Sequence, residues 1–262
     1  MFFKTTLEEF WYAIKHPHQW FLLAWFDIKQ RYRRSFLGPF WITISTAVFI
    51  LTMGVLWSTI FQMDTRDYLP HFAIGNIIWV LIATQLNEAA RGFSLFENVI
   101  KQHRLPYPSY ILRIMSRNVI ILAHNLVIIV AVVFYSNAEW TWKALIALPG
   151  AAILIVATYL VSLIVAILCT RYRDLVPIIE NVVTIAYFLT PILWKPSILP
   201  EKVRWVVDLN PAANLLDLVR KPLLDEYPSA LNWWYSIGVC ILIGYLAYWL
   251  LSKTRSRISY WL

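Results

Sequence analysis

Between Leu37 and Leu251 the chain offers one uncharged, apolar stretch after another, most of them near the length that a helix needs to cross a membrane. A hydrocarbon core of about 30 Å takes about 20 helical residues. Such stretches restrict the fold because backbone in lipid must satisfy its own polar groups, and a helix does so within one segment. The clear spans are Leu37–Phe61, His71–Leu86, Val119–Tyr135, Leu145–Cys169 and Trp233–Leu251, with a less regular one over Leu175–Trp194. Hydrophobic residues make up 60% of the chain and charged ones 15%, against about 45–50% and about 25% in soluble domains. The expected fold is all-α and polytopic, with six transmembrane helices. In the Leu175–Trp194 stretch the uncharged core between Glu180 and Lys195 rises only about 21 Å, so Glu180 lies at membrane depth or that helix leans on its neighbours.

Charge then sets orientation. Lysines and arginines such as Lys29, Arg31, Arg33, Arg34, Arg91, Lys101, Arg104, Arg113, Arg117, Arg171, Arg173, Lys253 and Arg255 fall on the side that would hold both termini of a six-span chain. By the excess of basic residues in cytoplasmic loops, both termini are expected in the cytoplasm. The net charge of +8 is therefore largely a topology signal, and nucleic acid is not an expected partner.

Ahead of the first span, Leu7, Phe10, Trp11 and Ile14 recur on one helical face, which predicts an interfacial helix. Thr5 and Glu8 suit a capping box at its start. After Pro17, Phe21, Trp25, Ile28 and Tyr32 repeat the idea. Pro196–Leu231 is too polar to span and is expected to form two short helices dipping into the interface.

Several chemistries lack their residues. No glycine precedes a lysine, so the phosphate-cradling loop G-x-x-x-x-G-K-[ST] is missing and the chain has no such route to ATP. The five histidines never show H-E-x-x-H spacing, and Cys169 and Cys240 stand alone in apolar runs. No metal ligand, catalytic residue or bound cofactor is expected. Paired carboxylates for sugar chemistry are missing from the spans, where Glu88 and Glu180 are the exceptions. Ionisable groups for ion coupling and an internal repeat are not evident either. What remains is a passive path powered from elsewhere.

Two basic segments carry candidate sites. R-Y-R-R-S-F-L-G-P-F-W, Arg31 to Trp41, puts guanidinium groups at the level of lipid head groups, where arginine forks suit phosphate oxygens. Snorkelling and topology account for the same arginines. E-N-V-I-K-Q-H-R-L, Glu97 to Leu105, allows about two helical turns before Pro106. Val99 and Ile100 would form an exposed apolar knob ringed by Glu97, Lys101 and Arg104, a shape that fits a partner's groove. A solvated connector is the competing reading.

Four stretches, in order and spacing, carry a resemblance: R-Y-R-R-S-F-L-G-P-F-W, R-Y-R-D-L at Arg171–Leu175, T-P-I-L-W at Thr190–Trp194 and I-L-P-E-K-V-R-W-V-V-D-L-N-P at Ile198–Pro211. With them the chain resembles the membrane permease of ABC-2 type polysaccharide exporters, which handle O-antigen, capsular or teichoic acid polymers. The resemblance implies one transmembrane domain over residues 1–262, with an interface helix region at 1–34, a six-helix region at 35–252 and a cytoplasmic tail at 253–262. It implies a homodimer in the bacterial inner membrane, joined to two copies of a cytoplasmic ABC ATPase that binds ATP and Mg. Glu97, Asn98, Val99, Ile100, Lys101 and Arg104 would form the coupling helix on that ATPase. Leu105 stands where the family often has an aromatic. Pro196–Leu218 would be a pair of re-entrant gate helices.

Cargo would be a glycan on a polyprenyl pyrophosphate or comparable lipid anchor, its head group captured by Arg31, Arg33 and Arg34. Sugars present apolar ring faces to aromatic side chains. Phe49, Met53 and Trp57 at i, i+4, i+8, and Tyr187 with Trp194 at i, i+7, are the candidate channel lining. Lipid-facing belts are the competing role for them. A drug or small-lipid efflux permease of the same superfamily, and a membrane enzyme acting on lipid-linked sugars, are the alternative functions.

Overall fold

The computed structural model describes residues 5–31, 33, 38, 40–102, 105–136 and 141–262, and among them there is no strand. The helices are α1 (Thr6–Lys15), α2 (Pro17–Arg31), α3 (Phe40–Ile60), α4 (Thr65–Ala90), α5 (Gly92–Leu95), α6 (Glu97–Gln102), α7 (Tyr107–Ser136), α8 (Ala147–Arg171), α9 (Leu175–Leu189), α10 (Trp205–Asp208), α11 (Pro211–Leu223) and α12 (Ala230–Trp261). Short 3₁₀ turns cover Trp142–Ile146, Pro196–Ile198 and Glu201–Val203. Among the described residues five helices, α3, α4, α7, α8 with its leading turn, and α12, are long and apolar enough to cross a membrane. The chain is an all-α, multi-pass membrane protein. The expected fifth span is α9, whose 15 residues rise about 22 Å.

Helix starts are set by local chemistry. Asp64 accepts from the Arg66 N–H ahead of α4, Asn210 accepts from Ala212 and Ala213 ahead of Pro211, and Ser229 with Asn232 forms a full capping box for α12. Helices α4 and α7 run well past the uncharged stretches because their polar residues meet partners on neighbouring helices. The Thr5 hydroxyl accepts from the Glu8 N–H, as a capping box requires.

Helix α4 is the centre of the bundle. It packs against α3, α7, α8, α9 and α11, and 78% of its most apolar window is buried, against 11% for α3. Tyr68, Phe72, Ile74 and Ile77 are fully buried within the main core. On α3, Trp41, Ile44, Val48, Leu51 and Val55 face outward, as lipid allows. In α1, too, Leu7, Trp11 and Ile14 face outward, while Thr6, Glu9 and Ala13 turn toward the protein. That pattern suits an interfacial helix with its apolar face in lipid.

Two contacts fix the direction of α9. Glu180, near its start, meets Arg91 at the end of α4, and Leu193, just after it, meets Tyr68 at the beginning of α4. Helix α9 therefore runs antiparallel to α4. The Arg255–Glu9 contact of 3.4 Å brings the end of α12 back to α1, so these two helices meet at one end of the bundle, the basic end. At the far end, Pro196–Leu231 holds two short α-helices of unequal length, α10 and α11. It forms 3₁₀ turns, the single turn α10 and one well-formed helix, α11, because Pro200 and Pro211 interrupt helical pairing and Asn210 restarts it. Helix α11 packs closely on α8, where a Cβ at Gly150 would sit 2.4 Å from the Leu218 carbonyl oxygen.

Candidate functional site

The far end is organised around T-P-I-L-W. After α9 the backbone leaves its helix while still inside the protein: Thr190 and Ile192 are fully buried and Leu193 nearly so. Irregular backbone at such depth needs partners for its carbonyls. Arg220 Nη1 donates to the Pro191 oxygen at 2.5 Å, and the Tyr68 hydroxyl donates to the Leu193 oxygen at 2.5 Å. Asn210 Nδ2 donates to the Thr190 hydroxyl at 3.1 Å.

Arg220, only 3% exposed, is also braced by Asp217 at 2.5 Å and lies 3.1 Å from Nε2 of His71. The same Nε2 lies 3.3 Å from the Trp194 carbonyl oxygen, so this ring nitrogen faces both a guanidinium donor and a carbonyl acceptor. One buried cation thus joins α11, α4 and the exit of α9. Lys221 adds a 3.2 Å contact to Asp217, and Asn232 of α12 donates to Asn214 of α11 at 2.8 Å. Beyond α11, Thr141 and Lys143 both donate to Asp225, which holds its carboxyl below the usual range. His71, Asn214, Asp217, Arg220, Lys221 and Asn232 border a cavity of about 660 Å³ between the start of α4, the 195–197 turn, α11 and the start of α12.

At the basic end a second network fastens α2 to the bundle. Arg113 donates to both Asp27 oxygens, at 2.8 and 2.6 Å. Arg117 donates to Glu88 at 2.6 Å and lies 3.8 Å from Asp27. Asn118 donates to Gln85 at 2.9 Å and to Glu88 at 3.0 Å. These four charged side chains are 12–21% exposed, so their charge-assisted bonds are only partly screened. Helices α2, α4 and α7 are thereby held in one register.

Of the expected head-group arginines, Arg31 lies beside this network. Arg31 closes α2 and sits 3.7 Å from Glu88, Arg33 is exposed in the following turn, and Arg34 lies outside the described residues. Glu180 pairs with Arg91 at the end of α4, at 2.6 Å, so α9 does lean on a neighbour.

On α6 the expectation for Val99 and Ile100 needs correction. Both are half-buried against the cluster of Phe93, Phe96 and Ile111, because α6 follows directly on α5 and turns its apolar face to that cluster. The projecting groups are Leu95, 62% exposed, with Asn98 and Lys101. Glu97 pairs with Lys101 at 2.5 Å, which lowers its pKa, and Arg104 lies outside the described residues. The core of the adjacent cluster includes Ile258 of α12, and Phe10 of α1 packs against it.

The two aromatic stripes sit on different contacts of α4. Phe49 tilts against Phe72 at 6.3 Å, Met53 and Trp57 pack on the main core, and Trp57 stacks on Phe61 at 5.4 Å. Tyr187 lies 5.9 Å from the Trp79 ring and donates to Asn76 at 3.2 Å, and Trp194 Nε1 donates to the Phe188 carbonyl at 3.0 Å. Met53, Trp57, Tyr187 and Trp194 all pack against the main core. Among the described residues no group of three or more His, Cys, Asp or Glu is placed to hold a metal ion.

Three curated relatives resemble the chain over most of its length. An O-antigen export system permease protein RfbA of Klebsiella pneumoniae is 25% identical over 242 residues, covering 89% of this chain and 90% of the relative. A second RfbA permease from the same species is 23% identical, covering 84% of each chain. The O-antigen export system permease protein RfbA of Myxococcus xanthus is 24% identical, covering 72% of this chain and 74% of the relative. Residues 18–224 match the ABC-2 type transporter family, so with its apolar helices and its span of most of the sequence this match shows that the chain belongs to that family of transport proteins.

Proposed function

We propose that this chain is the permease subunit of an ABC exporter that moves a lipid-linked, O-antigen-like polysaccharide across the bacterial inner membrane. The observation that carries the reading is the continuous likeness to O-antigen export permeases over 89% of the chain, through both the basic-end and the far-end segments. The absence of any glycine followed by lysine adds to it, since energy must then come from a separate ATPase. In this reading the chain works as a homodimer with two copies of a cytoplasmic ABC ATPase, which binds ATP and Mg. Both termini lie in the cytoplasm, in keeping with the basic residues at that end.

The same reading gives roles to particular residues. Arg31 and Arg33, with Arg34, receive the phosphate-bearing head group; Arg31 has a ready counter-ion in Glu88 until a phosphate replaces it. Glu97–Arg104 seats the ATPase, with Asn98, Lys101 and neighbouring Leu95 as the contacting groups and Val99 and Ile100 transmitting force to the Phe93 cluster. Phe49, Met53, Trp57, Tyr187 and Trp194 line the path between two copies.

Deletion of the gene tests the reading. Lipid-linked polymer should accumulate inside the cell and vanish from the surface, and the intact gene should restore it. Unchanged surface polymer in the deletion strain would overturn the proposal.

A further inference from the structure

The far-end cavity has chemistry that the transport reading does not use. At about 660 Å³ it lies within the size range of small-molecule sites. Its floor is built, not incidental. Asn214, Asp217, Arg220, Asn232 and His71 are each more than nine-tenths buried and come from α4, α11 and α12. Their mutual hydrogen bonds hold that floor in place.

The rim is different. The side chains of Arg66, Asp67, Asp208 and Glu226 are exposed, border the cavity and make no hydrogen bond or ion pair among the described residues. Ser197 beside them is likewise unpartnered. Among the described lining residues there are four cationic and four acidic side chains, so a purely anionic or cationic ligand meets as much repulsion as attraction. Phe, Tyr and Trp are missing from that lining, so among the described residues no aromatic ring is there for a ligand to stack on. A ligand whose every polar group both donates and accepts satisfies such a mixture, and hydroxyl groups do so.

We infer that this cavity is a binding site for an uncharged, polyhydroxylated saccharide segment, engaged on the side away from the basic end by Asp208, Glu226, Asp67 and Arg66. Carboxylates accept from ring hydroxyls, the guanidinium donates to them, and the rigid floor limits how deep a sugar enters. The inference deepens the polysaccharide reading and rests on it for the source of the sugar. It adds a site where an emerging segment is held by its hydroxyl edges rather than by stacking.

The test uses the full chain in lipid nanodiscs, titrated by calorimetry with uncharged trisaccharides of mannose, galactose and rhamnose, and separately with glucuronate and inorganic phosphate. At least one trisaccharide is expected to saturate. Asp208→Asn combined with Glu226→Gln is expected to weaken it about tenfold or more, since charged hydrogen bonds to the ligand are lost. Lys253→Gln, at the opposite end, should leave binding unchanged. Because the rim groups are exposed and unpartnered, an unchanged unfolding midpoint separates lost binding from lost fold. The inference is overturned if no trisaccharide saturates, if the rim variant binds as the parent does, or if glucuronate or phosphate binds in preference. Such a failure leaves the deletion phenotype untouched, so the export reading is judged separately.

Discussion

Arg220 Nη1 lies 2.5 Å from the carbonyl oxygen of Pro191, so a fully charged side chain of α11 caps backbone that has just left α9. This bond, with the brace from Asp217, is what lets T-P-I-L-W turn inside the protein. Arg220→Ala would take the guanidinium donor from the buried Pro191 carbonyl and leave the Asp217 carboxylate with Lys221 as its remaining cation. Removing one partner of a buried pair costs about 3–5 kcal/mol. A large fall in the unfolding midpoint of the purified protein is expected, with Arg220→Lys recovering part of it; an unchanged midpoint would show that the turn is held by other means.

Gly150 marks a close approach of helices. Its added Cβ would meet Leu218 backbone at 2.4 Å, which no rotamer change relieves. Gly150→Ala should push α11 from α8 and cost about 1–3 kcal/mol, as overpacking does. Gly238→Ala, in α12 with nothing within 4 Å, should be neutral or stabilising. Equal effects of the two substitutions on thermal unfolding would contradict the packing described.

Legibility in the sequence varied with the kind of signal. Uncharged length located the spans, and the Leu7–Ile14 periodicity located the face of α1 that turns outward. Polar partners across helices were not legible, since Arg113 and Asp27 are 86 residues apart and nothing local pairs them. Arg220 was hidden for a related reason. Its partners lie on α4 and at the exit of α9, although Asn214, Asp217 and Lys221 at i, i+3 and i+7 mark a polar face on α11. Val99 and Ile100 misled because two adjacent aliphatics in a polar segment fit a projecting knob and an inward-facing turn equally well. Only the Phe93 cluster beneath them decides.

The pH response of α1 has a defined sign. Burial raises the Glu9 carboxyl above the usual glutamate range, opposed by Arg255 and the Tyr107 N–H. A carboxyl with a higher pKa when docked binds its proton more tightly there, so ionised Glu9 weakens docking at neutral pH. That penalty is relieved as the pH falls through the raised value, and nothing more is gained once the undocked carboxyl is protonated as well. Exchange protection of α1 amides should therefore hold or rise from about pH 7 to about pH 5, and Glu9→Gln should be tolerated at pH 7. Loss of α1 protection over that interval would refute this.

The aromatic stripes make a functional prediction. Trp57→Ala and Trp194→Ala should each reduce surface polymer while the ATPase still co-purifies, because both side chains sit beside α4 rather than on the Glu97–Gln102 face. Normal surface polymer in both variants would remove these residues from the path.

The account stands most directly on whether transport needs a separate motor. Purified chain in proteoliposomes, loaded with fluorescent lipid-linked polysaccharide, can be assayed for flipping with and without its ATPase and ATP. ATP-dependent movement with the ATPase, and none by the chain alone or under an ion gradient, is the predicted result. Movement of cargo by the chain unaided would contradict it.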